Sequence, residues 1–262
     1  PKTSRKEPVA PAAARSKRKR AAAAPAEPPP KPLTLEERSA KLEERLLAAG
    51  PEFQKAYRDS LDMSWIYHDS ALEGSVYTGQ ELKAAIEDAA PIVTDSSIQP
   101  ICEEIRRHRE ALDYIRDYAS KKRQPITIDV VKKLYLILHP EEGDIKTVKY
   151  RKDIPQHRLS IGRAHVCSAV RIAARAHYDL LRVFPFASDS GKVARLFMNL
   201  LLLRNGYPPA IVHSTERQRY YEALKSSSAI MTQIVHEAIE NNLGSVEKLL
   251  EMHESKGYTV RI

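Results

Sequence analysis

The chain has 262 residues, 42% of them hydrophobic, which suffices for one large domain or for one domain with a tail. Its net charge of +8 comes almost wholly from residues 1–33, where nine Lys or Arg residues face two acids. The remaining 33 basic and 32 acidic residues leave 34–262 nearly neutral. A nucleic-acid-binding face on the folded part would therefore need strong local segregation of charge.

Residues 1–33 also hold eight of the seventeen prolines and the basic run 17–20. Because this composition buries too little surface to offset chain entropy, we predict a disordered tail. We interpret the basic run as solubilising, with a nuclear import signal or a nucleic-acid contact as the alternatives. A helical DNA-associated protein is the corresponding functional hypothesis from composition alone.

The two cysteines, Cys102 and Cys167, have no metal-type spacing, so we predict small buried residues in a reducing compartment. No apolar run approaches the ~18 residues of a membrane span, and the basic N-terminus lacks the apolar region of a secretion signal. We therefore expect a soluble, cytoplasmic protein, with nuclear or nucleoid association through the basic tail as an alternative.

Order is predicted to begin at Thr34, which has capping-box spacing to Glu37, as Thr78 has to Glu81. Helical periodicity predicts an all-α domain over 34–262. Residues 144–166 are the exception, because scattered apolar residues among basic ones favour a short β-hairpin or an irregular flap. The predicted helices span 35–49, 52–72, 78–90, 98–121, 127–138, 168–182, 192–205, 215–225 and 229–253.

The loop 184–195 joins two strongly apolar helices and carries the main functional pattern. Small residues allow a tight turn, and the free N–H groups at the start of the next helix favour an anion. Lys192 and Arg195 lie three residues apart, on one side of the first helical turn, from where both can reach phosphate oxygens. The alternative is an ordinary connection with Asp189 or Ser190 as N-cap.

Pro185-Phe186, Gly191, Lys192 and Arg195 match the loop His-Pro-Phe-x-Asp/Glu-Gly-Asn-Gly-Lys/Arg-x-x-Arg of the Fic (Fic/Doc) domain. The chain resembles this family at ordered points over about 60–225. The resemblance implies a Fic-type helical domain over 34–262 with a hairpin flap. It also implies a protein adenylyltransferase that moves AMP from ATP to a protein hydroxyl with Mg²⁺. Flanking segments that match are 173–177, 195–199, 204–209 and 219–224.

The chain departs from the family's loop at the positions of the catalytic base and of the metal ligand. Phe184 stands where the family has its catalytic histidine, and a phenyl ring accepts no proton. Ser188 replaces the acidic Mg²⁺ ligand, Ser190 replaces asparagine, and Asp189 replaces glycine, one residue from the lost ligand, so it is the candidate metal ligand. The resemblance thus implies nucleotide binding through 188–192 and Arg195, with weak or no AMP transfer.

Two alternatives stay open. One is an active adenylyltransferase with a substitute base, for which His157 and His165 in the flap region are the candidates. His177 matches a family position on the preceding helix, so we expect it to be a structural histidine. The other is a non-catalytic protein-interaction module. We expect a nucleotide and a target or partner protein as ligands, no membrane, and nucleic acid only through the basic tail.

Residues 70–75, together with Thr78 and Glu81, resemble the family's inhibitory helix, whose glutamate pairs with the last arginine of the loop. The resemblance therefore implies that Glu73 is inhibitory and pairs with Arg195. Asp69 stands four residues earlier, where that motif usually has Ser or Thr. The alternative is that Glu73 is a surface charge at a helix end.

Overall fold

The structure, a computed structural model, describes residues 32–87, 98–151 and 168–258. For residues 256–258 it describes the backbone only. Within these ranges the chain forms nine α-helices, two short 3₁₀ turns and no β-strand, which confirms the predicted all-α class. The helices are α1 (Leu35–Ala48), α2 (Pro51–Glu73), α3 (Gly79–Ile86), α4 (Gln99–Ser120), α5 (Ile128–Leu138), α6 (Ala169–Val183), α7 (Ser190–Arg204), α8 (Arg217–Ser226) and α9 (Ser228–Tyr258).

Both predicted capping boxes form. The Thr34 N–H donates to Glu37 at 2.8 Å, and the Glu37 N–H donates back to the Thr34 hydroxyl at 3.3 Å. Thr78 and Glu81 make the same reciprocal pair at the start of α3. Each box provides partners for backbone N–H groups that a helix start leaves unpaired, so the entry of the chain into α1 and α3 is set locally.

Helix α7 lies at the centre of the domain and is buried on more than one side. Leu196 and Leu200 belong to the hydrophobic cluster shared with α4 and α5. Met198 and Leu202 belong to a second cluster, which is shared with α6 and α9. Polar residues on such a helix must find partners inside the protein, because burying a charge without one is costly.

Several helix bounds differ from the prediction. Helix α3 was predicted to reach about Ala90, but its last buried apolar residue is Ile86, and Glu87 is already extended with φ −78° and ψ 125°. Helix α7 begins two residues earlier than predicted, at Ser190. Helix α8 begins at Arg217, because Ser214–Glu216 form a 3₁₀ turn, and α9 continues to Tyr258.

The predicted flap is described only at its start. Asp144 organises a turn by accepting from the N–H groups of Lys146 and Thr147 at 2.7 and 2.9 Å, and Val148 is buried. The Arg151 N–H donates to the Pro185 carbonyl at 2.8 Å, which ties this segment to the loop before α7. Residues 152–167, which include His157, His165 and Cys167, lie outside the described residues.

The predicted disorder of residues 1–33 and the role of the basic run 17–20 fall on residues outside the described range, so they stay predictions. Cys102 is buried in the core, as predicted. No helix in the described part of the chain combines the length and the apolar character that crossing a membrane requires.

Candidate functional site

The loop between α6 and α7 turns through two non-glycine residues with positive φ. Phe184 has φ 47° and ends α6, and Asp189 has φ 48° and precedes α7. The Ser190 hydroxyl accepts from the Phe186 N–H at 2.9 Å and donates to the Phe186 carbonyl at 3.1 Å. The Phe186 ring stacks on Tyr135 of α5 with centroids 4.0 Å apart. These contacts fix the loop from inside, and they turn the Ser190 side chain toward the loop backbone.

Asp189 occupies the left-handed position at which the family's loop has glycine. Aspartate tolerates this conformation better than most residues because its short side chain bonds locally. Its Oδ2 lies 2.7 Å from His139 Nε2 and its Oδ1 lies 3.1 Å from Lys192 Nζ. Burial alone would raise the pKa of Asp189, but the hydrogen bond from His139 and the charge of Lys192 outweigh it and lower the pKa to about 2. Asp189 is therefore an ionised anchor of the loop.

His139, at the end of α5, is the described histidine that contacts the loop, and sequence reasoning missed it. Glu141 Oε1 lies 3.0 Å from its Nδ1, opposite the Asp189 contact at Nε2. The hydrogen bond to Asp189 outweighs the effect of burial and raises the pKa of His139, and Glu141 adds to the rise. Because ionised carboxylates only accept, Asp189 and Glu141 favour the protonated form of the ring. Both ring nitrogens of His139 are engaged by these carboxylates.

Lys192 points away from the first turn of α7 toward α4. Its Nζ lies 3.2 Å from Glu104 Oε1 as well as near Asp189, and the residue is only 4% exposed. Burial would lower the pKa of Lys192, but the two carboxylates outweigh it and raise the pKa. The ammonium borders a polar cavity of about 410 Å³ between α4 and the end of α5. Two acids thus neutralise the lysine that was predicted to reach a phosphate.

Arg195 lies at the centre of a buried network. Its Nε donates to Asp69 Oδ1, its Nη2 donates to Glu73 Oε1 at 2.7 Å, and its Nη1 donates to the Tyr220 hydroxyl at 3.1 Å. Nη2 also donates to the Asp69 carbonyl at 3.2 Å. The pairing of Glu73 with Arg195 that the family resemblance implied is therefore present. The second carboxylate, Asp69, was not anticipated as a partner.

The Glu73 carboxylate lies directly against the start of α7. A Cβ atom built on Gly191 would be 1.9 Å from Glu73 Oε1 and 3.1 Å from Arg195 Nη1. Only glycine leaves room for the carboxylate so close to the backbone. The free N–H groups and the positive end of the helix dipole favour an anion at this place. Glu73 therefore lies where the loop is expected to hold a phosphate.

Asp69 and Glu73 share one face of α2, one helical turn apart. Gly74 ends the helix immediately afterwards with φ 101°. His108 Nε2 of α4 lies 3.1 Å from Asp69 Oδ2, an ion-pair distance without hydrogen-bond alignment. Burial would raise the pKa of Asp69, but the Arg195 charge outweighs it, with a contribution from His108, and the pKa is lowered. The sequence signal for Asp69 was its place in the inhibitory-helix motif, where an acid is unusual.

His177 is a structural residue rather than a free base. It is buried, and its Nε2 lies 2.9 Å from the Tyr220 hydroxyl, which also accepts from Arg195. Because arginine can only donate, the Tyr220 proton is free to go to His177. Burial, helped by the Arg195 charge, lowers the pKa of His177 to about 3. The histidine is thus neutral and accepts one hydrogen bond inside the core.

Phe184 stands at the mouth of the loop, with the Arg151 guanidinium 5.5 Å from the centroid of its ring. This contact and the backbone bond from Arg151 to Pro185 connect the described start of the flap to the loop. Neither the phenyl ring nor a guanidinium accepts a proton at neutral pH. The position that the family resemblance assigns to the catalytic base therefore carries none.

The loop also offers Mg²⁺ no carboxylate oxygen that is free of a cationic neighbour. Both carboxylate oxygens of Asp189 face cations, His139 and Lys192, and Ser188 is a neutral hydroxyl 3.3 Å from His139. Throughout the described ranges, no group of three or more His, Cys, Asp or Glu residues is arranged to hold a metal ion. Since Mg²⁺ is held by charged hard oxygens, this arrangement of the loop does not fit it.

The fold and the sequence both have known relatives, although no protein-family model matches the chain. A Fic-domain-containing signalling protein from Bacteroides thetaiotaomicron shares the fold with a TM-score of 0.63 at 18% identity, covering 83% of this chain and 98% of that one. Fic-1 from C. elegans has a TM-score of 0.64 at 20% identity, covering 83% and 73%. The architecture is therefore that of the Fic domain.

Sequence similarity points to the same family. The protein adenylyltransferase Fic of Nematostella vectensis is 26% identical over 183 residues, 62% of this chain and 42% of that protein. The protein of the same name from Drosophila mojavensis is 28% identical over 228 residues, 72% and 42%. In sequence and in fold the chain is therefore similar to Fic proteins, among them two that are named protein adenylyltransferases. The chain spans 42% of the length of these two relatives.

Proposed function

We propose that this protein is a Fic-type nucleotide-binding protein that holds ATP only after Glu73 leaves the start of α7. In this proposal it transfers AMP to protein hydroxyls slowly or not at all. The observation that carries it is the Glu73 carboxylate, which lies against Gly191 and 2.7 Å from Arg195. A place that suits one anion suits another, and a phosphate offers oxygens both to the guanidinium that Glu73 now occupies and to the N–H groups at the helix start beside it.

The side chains around the site explain why binding is proposed to require displacement. Glu73 is 25% exposed and sits at the last residue of α2, so it is able to swing into solvent. Until it does, its charge and a terminal phosphate compete for one position. Lys192 is occupied by Asp189 and Glu104 and adds little attraction. Weak, displacement-dependent binding of ATP is the expected result.

The loss of the base supports slow or absent transfer. General-base assistance typically contributes ~10²–10⁴ in rate. Phe184 supplies none, both ring nitrogens of His139 face carboxylates, and His177 is buried against Tyr220. Mg²⁺ fits the loop poorly, because both carboxylate oxygens of Asp189 already face His139 and Lys192. His157 and His165 lie outside the described residues, and the active-enzyme alternative rests on them.

The remaining alternative is a protein-interaction module that binds no nucleotide, and the second carboxylate on Arg195 favours it. We likewise propose a nucleotide and a partner protein as ligands, and nucleic acid only as a contact through residues 1–33. The curated relatives are named protein adenylyltransferases, and this name supports ATP as the nucleotide and a protein as the partner.

ATP binding by the parent protein and by Glu73→Gly tests the proposal. Isothermal titration calorimetry should give at least tenfold tighter ATP binding for Glu73→Gly, because the anion position is then free. Glu73→Gln is the matched control, since it removes the charge but keeps the side chain over Gly191, and it should gain less. No measurable binding by Glu73→Gly at millimolar ATP would overturn nucleotide binding and favour the interaction module.

Transfer is measured in parallel with α-labelled ATP and Mg²⁺, on the protein itself and on a cell lysate. Little or no label is expected for either protein. Strong label that disappears with Arg195→Ala would refute the proposed loss of activity and show that a substitute base operates.

A further inference from the structure

We propose that Asp69 is a second, permanent anionic partner of Arg195, which weakens phosphate binding even when Glu73 has moved away. This inference rests on the proposed nucleotide binding and concerns the same arginine. Two carboxylates meet one guanidinium here: Asp69 on Nε and Glu73 on Nη2. One of them is enough to neutralise Arg195, so the other is in excess.

The two carboxylates differ in their freedom to leave. The side chains of Asp69 and Arg195 are each 3% exposed, whereas Glu73 is 25% exposed. Glu73 is the last residue of α2, and Asp69 lies one turn inside the helix. A buried ionised aspartate cannot separate from its partner without a large desolvation cost. Glu73 is therefore the removable partner and Asp69 the fixed one.

Further contacts hold Asp69 in place. Arg195 Nη2 also donates to the Asp69 carbonyl at 3.2 Å, so the guanidinium grips both the side chain and the backbone of this residue. His108 of α4 approaches the other carboxylate oxygen at 3.1 Å. When Glu73 swings out, these contacts remain. Arg195 then offers a phosphate a hydrogen-bond donor but almost no net positive charge.

The charge of Asp69 has a specific consequence for ligand choice. Neutralising Arg195 weakens its attraction for a charged phosphate but does not change its interaction with an uncharged nucleoside. Asp69 thus acts as a positioning residue that sets how strongly the site discriminates ATP from adenosine. A purely structural role would change the binding of both ligands together.

The experiment compares the parent, Asp69→Asn, Glu73→Gly and the double variant by calorimetric titration with ATP and with adenosine. Asparagine keeps the shape of Asp69 and removes its charge. The double variant should bind ATP at least tenfold tighter than Glu73→Gly, with adenosine affinity unchanged. Asp69→Asn alone should gain less ATP affinity than the double variant, because Glu73 still covers Gly191.

Equal ATP affinity of the double variant and Glu73→Gly overturns the role of Asp69 and leaves the proposed nucleotide binding intact. Parallel gains for ATP and adenosine also overturn it, as a structural effect. If none of the four proteins binds ATP, both the role of Asp69 and the proposed function fail. Thermal scans establish whether each variant folds. If the double variant Asp69→Asn/Glu73→Gly does not fold, Asp69→Ser in the Glu73→Gly background takes its place.

Discussion

Replacing Gly191 with alanine puts a methyl group 1.9 Å from Glu73 Oε1, a distance that no pair of such atoms tolerates. The obstructing atom is the end of a flexible, partly exposed side chain, so Glu73 should move rather than the backbone of α7. Its hydrogen bond to Arg195 is then lost. A hydrogen bond to a charged group contributes about 1.5–3 kcal/mol.

Two effects reduce this loss. Asp69 still neutralises Arg195, which places the cost near the lower end of that range. Alanine is also the better helix former, by up to about 1 kcal/mol. We therefore expect Gly191→Ala to lower the free energy of unfolding by about 1 kcal/mol, and the melting temperature of a domain of this size by about 2–4 °C.

Once Glu73 is absent, the same substitution should no longer lower the free energy of unfolding. In a Glu73→Ala background no carboxylate obstructs the methyl group, and the remaining close atom is the end of the Arg195 side chain. Alanine should then be neutral or stabilising by up to about 1 kcal/mol.

Urea denaturation of the four proteins of this double-mutant cycle gives the coupling energy between Gly191 and Glu73, with an expected value of about 1–2 kcal/mol. Equal effects of Gly191→Ala in both backgrounds would refute the position of Glu73 over the helix start.

Two further predictions concern the groups around the site. Since the pKa of His177 is about 3 in the folded protein, the unfolded state binds more protons below its ordinary pKa of about 6.5, and this histidine costs stability as the pH falls. The stability of the parent relative to His177→Gln should drop by about 1.6 kcal/mol in total between pH 6.5 and 5, measured by urea denaturation; parallel curves would contradict a buried neutral histidine. Asp189→Asn keeps a residue that tolerates φ 48° but removes the carboxylate that raises the pKa of His139. An NMR titration should therefore show a lower pKa for His139 in the variant, and an unchanged value would mean that Glu141 alone sets it.

Local signals made most of the fold predictable. Capping boxes, helical periodicity and Gly-Pro or His-Pro stops depend on residues close in sequence, so nearly all helices were placed within a few residues. The end of α3 was missed by about four residues, because nothing local marks the point where its buried face ends. The flap was foreseen only as non-helical, and most of it lies outside the described residues.

The candidate site divides in the same way. Gly191, Lys192 and Arg195 were recognisable because the loop is one short segment, and Glu73 because a second short segment resembles the inhibitory helix. His139 was not recognised as part of the site. Asp69 and Tyr220 lie in or next to segments that resemble the family, but their contacts with Arg195 were not predicted. The contacts of these three residues to 189 and 195 span between 25 and 126 residues of chain.

The sequence by itself determined an all-helical Fic-type domain with an anion-suited helix start, and it showed that the base position holds Phe184. Those properties follow from short-range spacing and from the identity of single residues. Only the tertiary structure decided which charges meet: Lys192 faces Glu104 and Asp189, and Arg195 faces Asp69 and Glu73. The physical reason is that α7 is buried between two hydrophobic clusters, so Lys192 and Arg195 need partners inside the protein, and all of their carboxylate partners except Asp189 come from helices α2 and α4.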